Sequence, residues 1–192
     1  MATIGVDFDL TVVDCVFQQG GWIDHLNAMS YHYISKEQFA SMEKIDYDLG
    51  KYYPDLTESE SFSFWKDTSL YQKLKPYKDA VEVINNLAKQ GHIIVFISHC
   101  QTNHFKSKVV AAKEWFDIPK ASFGFLATKE KHFVNVDVMI EDRNVFLNSF
   151  SDKVIKIKFD TPFSQCEDLE VSLDFHSSNW HDIGNFLEDV LI

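Results

Sequence analysis

The stretch Asp7-Phe8-Asp9-Leu10-Thr11 decides how the rest of the chain is read. It follows Thr3-Ile4-Gly5-Val6, a short apolar run with β-branched residues that predicts a buried strand. Two carboxylates at i and i+2 after such a strand sit near the carboxyl edge of a sheet, where open α/β folds place their ligands. At that separation they repel unless a cation, a shared proton or a positive ligand pocket offsets them. The pair is the first functional clue, and its weight depends on what the rest of the chain brings to it.

Working outward, the composition sets the frame. The chain has 192 residues, 45% of them hydrophobic, which suits one domain carrying at most a modest insertion. Lys+Arg number 18 against 29 Asp+Glu, a net charge of −11, so general attraction to duplex nucleic acid or an anionic membrane is excluded. A phosphorylated small molecule would have to be met by a metal ion and a few placed cations. Cys15, Cys100 and Cys166 are far apart and odd in number, giving neither a disulfide framework nor a zinc spacing. No signal-peptide pattern and no membrane-length apolar run is present, so a soluble, cytoplasmic protein is expected, with a homodimer left open.

After Thr11 the periodicity turns helical. Phe17, Trp22, Ile23, Leu26, Met29 and Tyr33 are spaced as on helices, and Ser35 with Gln38 three residues on predicts a capped helix start. Tyr53-Pro54-Asp55 interrupts, and a further helix is expected over Glu58 to Trp65. From Leu70 helices and strands alternate. A helix leads to Gln90-Gly91, a continuous apolar strand spans 92–98, and a helix follows from about Asn103 to Phe116. Strands are expected at 122–126, 136–140 and 154–159, the last at a sheet edge, with a closing helix from Asn179 to Leu191. This alternation predicts an α/β fold, a parallel sheet with helices on both faces. The expected division is a core of 1–13 and 70–192 with a helical cap, 14–69, inserted after the first strand.

In a parallel sheet the strand ends converge on one edge, so the residues just past each apolar run are the candidates for chemistry. They are Asp7 and Asp9, Ser98, Lys129 or Lys131, and Glu141 with Asp142. One hydroxyl, one or two ammonium groups and four carboxylates match the needs of phosphoryl transfer: a nucleophile, an acid/base, hard oxygen ligands for a divalent cation, and positive charge against phosphate.

Asp7-x-Asp9-x-Thr11-Val12, Ser98 ending an apolar strand, a downstream Lys and Glu141-Asp142 resemble the four motifs of haloacid-dehalogenase-type phosphatases. Thr128-Lys129-Glu130-Lys131 and Asp137-Val138-Met139-Ile140-Glu141-Asp142-Arg143 are similar, at similar spacing, to stretches of the 5′(3′)-deoxyribonucleotidases. The resemblance implies a Rossmann-like core and selects Lys131 as the phosphate-binding lysine. It implies that Asp7 attacks phosphorus to form an aspartyl-phosphate, while Asp9 protonates the leaving oxygen and then activates water. It implies Mg²⁺ held by Asp7, the Asp9 main-chain carbonyl and Asp142, with Glu141 as a ligand or a carboxylate behind one, and Ser98 bonding a phosphate oxygen. Phe17, Trp22, Phe62, Phe64 and Trp65 are candidates for an apolar slot under a nucleobase, with His99 beside them; the alternative is that they form the core of the cap. Asn103, His104 and Lys108 follow Ser98 without an assigned role.

Four departures stand out: His99-Cys100-Gln101 after Ser98 where the group has a small residue and proline, Leu10-Thr11 for Gly-Val, Glu141 for Asp, and Cys15 where an aromatic is usual. The leading expectation is a phosphomonoesterase acting on nucleoside monophosphates. The alternatives are a sugar phosphate, a nucleic-acid 3′-phosphate end, or a non-catalytic binding protein of the same fold.

Overall fold

The computed structural model describes residues 1–100 and 102–191; Gln101 and the side chains of Thr102 and Asn103 lie outside the described residues. Strand β1 (Thr3–Val6) is followed, among the described residues, only by helical elements as far as residue 89. These are α1 (Trp22–Met29), α2 (Lys36–Ala40), a 3₁₀ turn (Leu49–Tyr52), α3 (Glu58–Ser61), a second 3₁₀ turn (Phe62–Lys66), α4 (Leu70–Lys73) and α5 (Lys78–Lys89). Then come β2 (Ile93–Ser98), α6 (Thr102–Trp115), β3 (Phe123–Ala127), β4 (Val138–Glu141), α7 (Asn144–Leu147), β5 (Ile155–Phe159), β6 (Phe175–Ser177) and α8 (Trp180–Val190). The cap at Ser35 forms as its residues dictate: the Ser35 hydroxyl accepts from the Gln38 N–H while the Gln38 side chain accepts from the Ser35 N–H. Helix α5 stops at Gly91, whose φ of +93° suits a residue without a side chain.

The six strands are all parallel, in the order β3-β2-β1-β4-β5-β6. β1 lies between β2 and β4, so the connections run away from it in opposite directions and open a crevice at its carboxyl end. The register places Val6 beside Phe96 and Ile140. The strand ends carrying the candidate residues therefore meet at one edge. Gly5 is required for this packing, since a Cβ there would lie 2.9 Å from the Met139 sulfur and 3.0 Å from Ile97.

Helices cover both faces, unequally. Ile94, Phe96, Val138 and Ile140 enter the larger core with residues of α5, α6 and α8. Ile97 and Met139 enter a smaller core with Leu147 of α7 and Phe150. The expected edge position of 154–159 is corrected: β5 is internal, and β6 pairs along its outer side. The alternating Ile155-Lys156-Ile157-Lys158 reads as half-wet, yet Lys156 is buried and donates to the Ser151 carbonyl at 3.0 Å. Three residues, Phe175–Ser177, are too few to show a period-2 pattern. The strand expected at 136–140 begins at Val138 and includes Glu141, whose side chain is consequently fully buried.

Candidate active site

Asp7 continues the line of β1, its N–H donating to the Ile140 carbonyl of β4 at 2.9 Å. The chain then turns sharply. Leu10 takes φ +61°, the left-handed region that favours glycine, and the Leu10 N–H and Val12 N–H close the turn onto Val13 and Phe8. Trp180 of α8 braces it by donating its indole N–H to the Thr11 carbonyl at 2.9 Å. The departure at Leu10 thus has a structural meaning: a branched residue occupies a backbone position natural to glycine.

Around Asp7 the structure gathers Lys131, Glu141, Asp142 and Thr11. The Lys131 ammonium, buried and 4.4 Å above the Phe146 ring, donates to one oxygen of Asp7 and to Oε2 of Glu141. Burial alone would draw its pKa down, but the two carboxylates outweigh this and hold it above the ordinary lysine range. Glu141 Oε1 accepts from the Arg143 N–H at 3.1 Å, so both of its oxygens are engaged. Its role here is to hold Lys131 against Asp7. The Thr11 hydroxyl lies 3.5 Å from Asp7 Oδ2 and 3.4 Å from Asp142 Oδ1.

The charge balance is unfavourable without a further cation, with three carboxylates around one ammonium. Burial, followed by the neighbouring Asp7, raises the Glu141 pKa to about 7. Burial, followed by Glu141 and Asp7, pushes Asp142 well above the carboxylate range. Asp7, Glu141 and Asp142 each offer an oxygen within 4.8 Å of the others, and Asp142 Oδ2 is buried with no hydrogen-bond partner among the described residues. A hard-oxygen set with an orphaned carboxylate oxygen fits a divalent cation. Asp142 Oδ2 is the oxygen of the three residues left without a partner, whereas both oxygens of Asp7 and of Glu141 already accept a hydrogen bond and would share a lone pair with the cation.

Asp9 faces a different set. Its Oδ1 accepts from the Tyr71 hydroxyl of α4 at 2.6 Å, and its Oδ2 pairs with the Lys108 ammonium of α6. Lys108 also donates to the Ser98 Oγ at 2.7 Å. Sequence reasoning assigns a role to neither Tyr71 nor Lys108. The available signal for Lys108 is positional: 104, 108, 111 and 112 run i, i+4, i+7, i+8, the buried stripe of α6.

Asp7, Asp9, Ser98, His99, Lys131, Glu141 and Asp142 line one recess of 30 Å³, room for an ion or a water or two. A larger cleft of 290 Å³ shares Asp9, Tyr47, His99 and Arg143 with it and is bounded by Phe62 and Trp65. Trp65 thus lies on the cleft. Phe17 and Trp22 do not, which corrects the slot expected from the sequence. Trp22 is 1% exposed, donates to the Ser61 carbonyl at 2.8 Å, and packs against Phe62, Phe64 and Trp65. Phe17 packs on Phe163 at 5.2 Å. His104, 2% exposed, also lines the cleft, and its Nε2 has no hydrogen-bond partner among the described residues. Arg143 stacks over Tyr47 at 3.8 Å and is anchored by Glu167.

Comparison with known proteins identifies the family. The family profile of 5′ nucleotidase, deoxy (Pyrimidine), cytosolic type C proteins matches residues 1–188. The chain belongs to this family. No curated protein matches it by sequence. Among solved structures, a Clostridium difficile protein described as a phosphatase has a TM-score of 0.65 at 16% identity, covering 96% of this chain and 97% of that one. A haloacid dehalogenase-like hydrolase from Streptococcus pneumoniae has a TM-score of 0.63 at 11% identity, with 97% and 98% covered. A haloacid-dehalogenase-superfamily hydrolase from Ehrlichia chaffeensis has a TM-score of 0.55 at 14% identity, with 99% and 97% covered. These likenesses concern the fold. The chain is a phosphoric monoester hydrolase, 5′-nucleotidase-like, and its substrate is a small phosphate ester. Haloacid-dehalogenase phosphatases, whose fold this chain shares, generally need a divalent metal, and the cluster of Asp7, Glu141 and Asp142 is where one fits. Among the described residues, no helix is long and apolar enough to cross a membrane.

Proposed function

We propose that this protein is a Mg²⁺-dependent cytoplasmic 5′-(deoxy)nucleotidase that dephosphorylates nucleoside monophosphates through an aspartyl-phosphate on Asp7. The observation that carries this reading is the junction of two spaces. A recess holding Asp7, Lys131 and Asp142 opens beside a cleft walled by Phe62, Trp65 and Tyr47. The first suits a phosphate and the second a flat aromatic base. The segment 14–69 acts as the cap over the core formed by 1–13 and 70–192, and it supplies Tyr47, Phe62 and Trp65.

Asp7 attacks phosphorus in line. A bond forms between its carboxylate oxygen and phosphorus as the bond from phosphorus to the leaving oxygen breaks, and that oxygen keeps the electron pair. Lys131, pinned by Glu141, keeps the Asp7 carboxylate aimed and offsets charge on the phosphoryl oxygens. Asp9 carries the proton delivered to the leaving oxygen, then accepts one from the water that cleaves the aspartyl-phosphate. Ser98 donates its hydroxyl proton to a phosphoryl oxygen. Mg²⁺ would be held by Asp7 and Asp142 with the Asp9 main-chain carbonyl, and when bound it supplies positive charge that neutralises carboxylates and phosphate together.

The test is phosphate release from a panel of nucleoside 5′-monophosphates, sugar phosphates and 3′-phosphorylated oligonucleotides, with Mg²⁺ and with chelator. Nucleotides are expected to lead, chelator to stop release, and Asp7→Asn to abolish it. Preference for a sugar phosphate would overturn the nucleotide assignment, and full activity in Asp7→Asn would overturn the covalent route.

A further inference from the structure

The mechanism built on Asp7 and Asp9 uses one lysine, Lys131, yet the site contains two buried ammonium groups. The second, Lys108, is 1% exposed and lies 5.3 Å from the Tyr71 ring centroid and 5.8 Å from that of Phe8. Burying an ammonium among aromatic rings is costly unless it is paired and hydrogen-bonded. Asp9 provides the pairing and the Ser98 Oγ a second acceptor. An ammonium has three N–H donors. Two are used, and no third acceptor occurs among the described residues. Lys108 also forms part of the wall of the 290 Å³ cleft.

We propose that Lys108 is a further catalytic residue, its ammonium donating to the oxygen between phosphorus and the leaving group. This rests on the phosphoryl-transfer reading of the site. Ser98 lines the phosphate recess, Asp9 lines both recess and cleft, and Lys108 bridges them. The bridging oxygen of a phosphate ester whose alcohol occupies the cleft passes through that corner. Lys108 keeps its proton throughout. It stabilises the electron pair left on the oxygen as the bond to phosphorus breaks, while Asp9, which takes up a proton from solvent when substrate enters and Lys108 turns from it to the bridging oxygen, delivers that proton. By donating to the Ser98 Oγ it also occupies a lone pair there, which leaves the Ser98 hydroxyl proton free to point at phosphate. Lys131 is bound by Asp7 and Glu141 in the recess and does not line the cleft that would take the leaving group.

A cation at the leaving oxygen matters most when that oxygen is a poor leaving group. The experiment compares kcat/KM of the full-length protein, Lys108→Met and Lys108→Gln on a nucleoside 5′-monophosphate, whose leaving oxygen is strongly basic, and on p-nitrophenyl phosphate, whose leaving group is already stable. Loss of one preorganised donor predicts a fall of about 10²–10³-fold on the nucleotide and of roughly 10-fold or less on the nitrophenyl ester. Lys108→Arg should recover part of the nucleotide rate. The ratio of the two values, taken on one preparation, does not depend on how much of the variant is folded. Equal losses on both esters, or no loss on the nucleotide, would overturn the proposal and leave Lys108 as a packing and positioning residue. Asp7→Asn separates this from the underlying reading: it should silence both esters whatever Lys108 does.

Discussion

The carboxylate cluster makes a quantitative claim about the metal-free protein. Glu141 is raised from 4.5 to about 7, first by burial and then by Asp7. The folded state therefore keeps a proton that the unfolded chain has already lost between about pH 4.5 and 7. Stability conferred by that proton is fully present below the unfolded pKa and is lost as pH rises through the folded one. At about 1.4 kcal/mol per pKa unit, the loss is on the order of 3 kcal/mol. Asp142, raised by burial and then by Glu141, pulls in the same direction. Four histidines pull the other way: His25, His92, His99 and His104 are held below the usual range, first by burial, so they favour folding as pH rises toward about 6.5. The measured quantity must then be a difference. Wild type and Glu141→Gln are unfolded in urea, in chelator, from pH 5 to pH 8. The stability of wild type relative to the variant should decline by on the order of 3 kcal/mol across that range, equivalent to roughly 6–12 °C in Tm for a chain of this size. Saturating Mg²⁺ should flatten the decline, because a divalent cation replaces the proton as the group that offsets the carboxylates. A pH-independent difference would refute the electrostatic reading of the cluster, and a decline untouched by Mg²⁺ would refute the metal assignment.

Two further outcomes depend on where aromatic and strained residues lie. Trp65→Ala should raise KM for nucleoside monophosphates by about 5–150-fold, the worth of one stacked base, with little change for a phosphate ester without an aromatic ring. Trp22→Ala, in contrast, should lower stability by about 3–5 kcal/mol, read by urea titration, because the ring is core. Leu10→Gly sets two effects against each other: relief of the left-handed backbone returns about 1–2 kcal/mol, while loss of a buried leucine side chain costs about 2–5 kcal/mol. Net destabilisation of up to about 4 kcal/mol is expected in the same titration, and a stabilised variant would show that Leu10 contributes little packing.

The skeleton of the candidate site is legible because it is local. Asp7 and Asp9 adjoin a strand, Ser98 ends one and Glu141-Asp142 close another, so apolar runs alone bring them to one sheet edge once the sheet is parallel. Capping at Ser35 and the stop at Gly91 are local too. What escapes the sequence depends on which side chain a third element presents. Trp22 and Trp65 are equivalent as residue types, and only packing buries one and leaves the other on the cleft. Strand β6 draws its existence from β5, beside which it lies, and three residues cannot announce that alone. Lys108 is the sharpest case. A lysine in a helix reads as solvated, since the desolvation of an ammonium is costly, and what reverses that cost lies 99 residues away in Asp9 and ten residues away in Ser98. From the sequence alone the chain declares a candidate phosphate site built on Asp7-Phe8-Asp9. The tertiary structure alone decides which charges surround each carboxylate, because burial and pairing are properties of neighbours and not of residues.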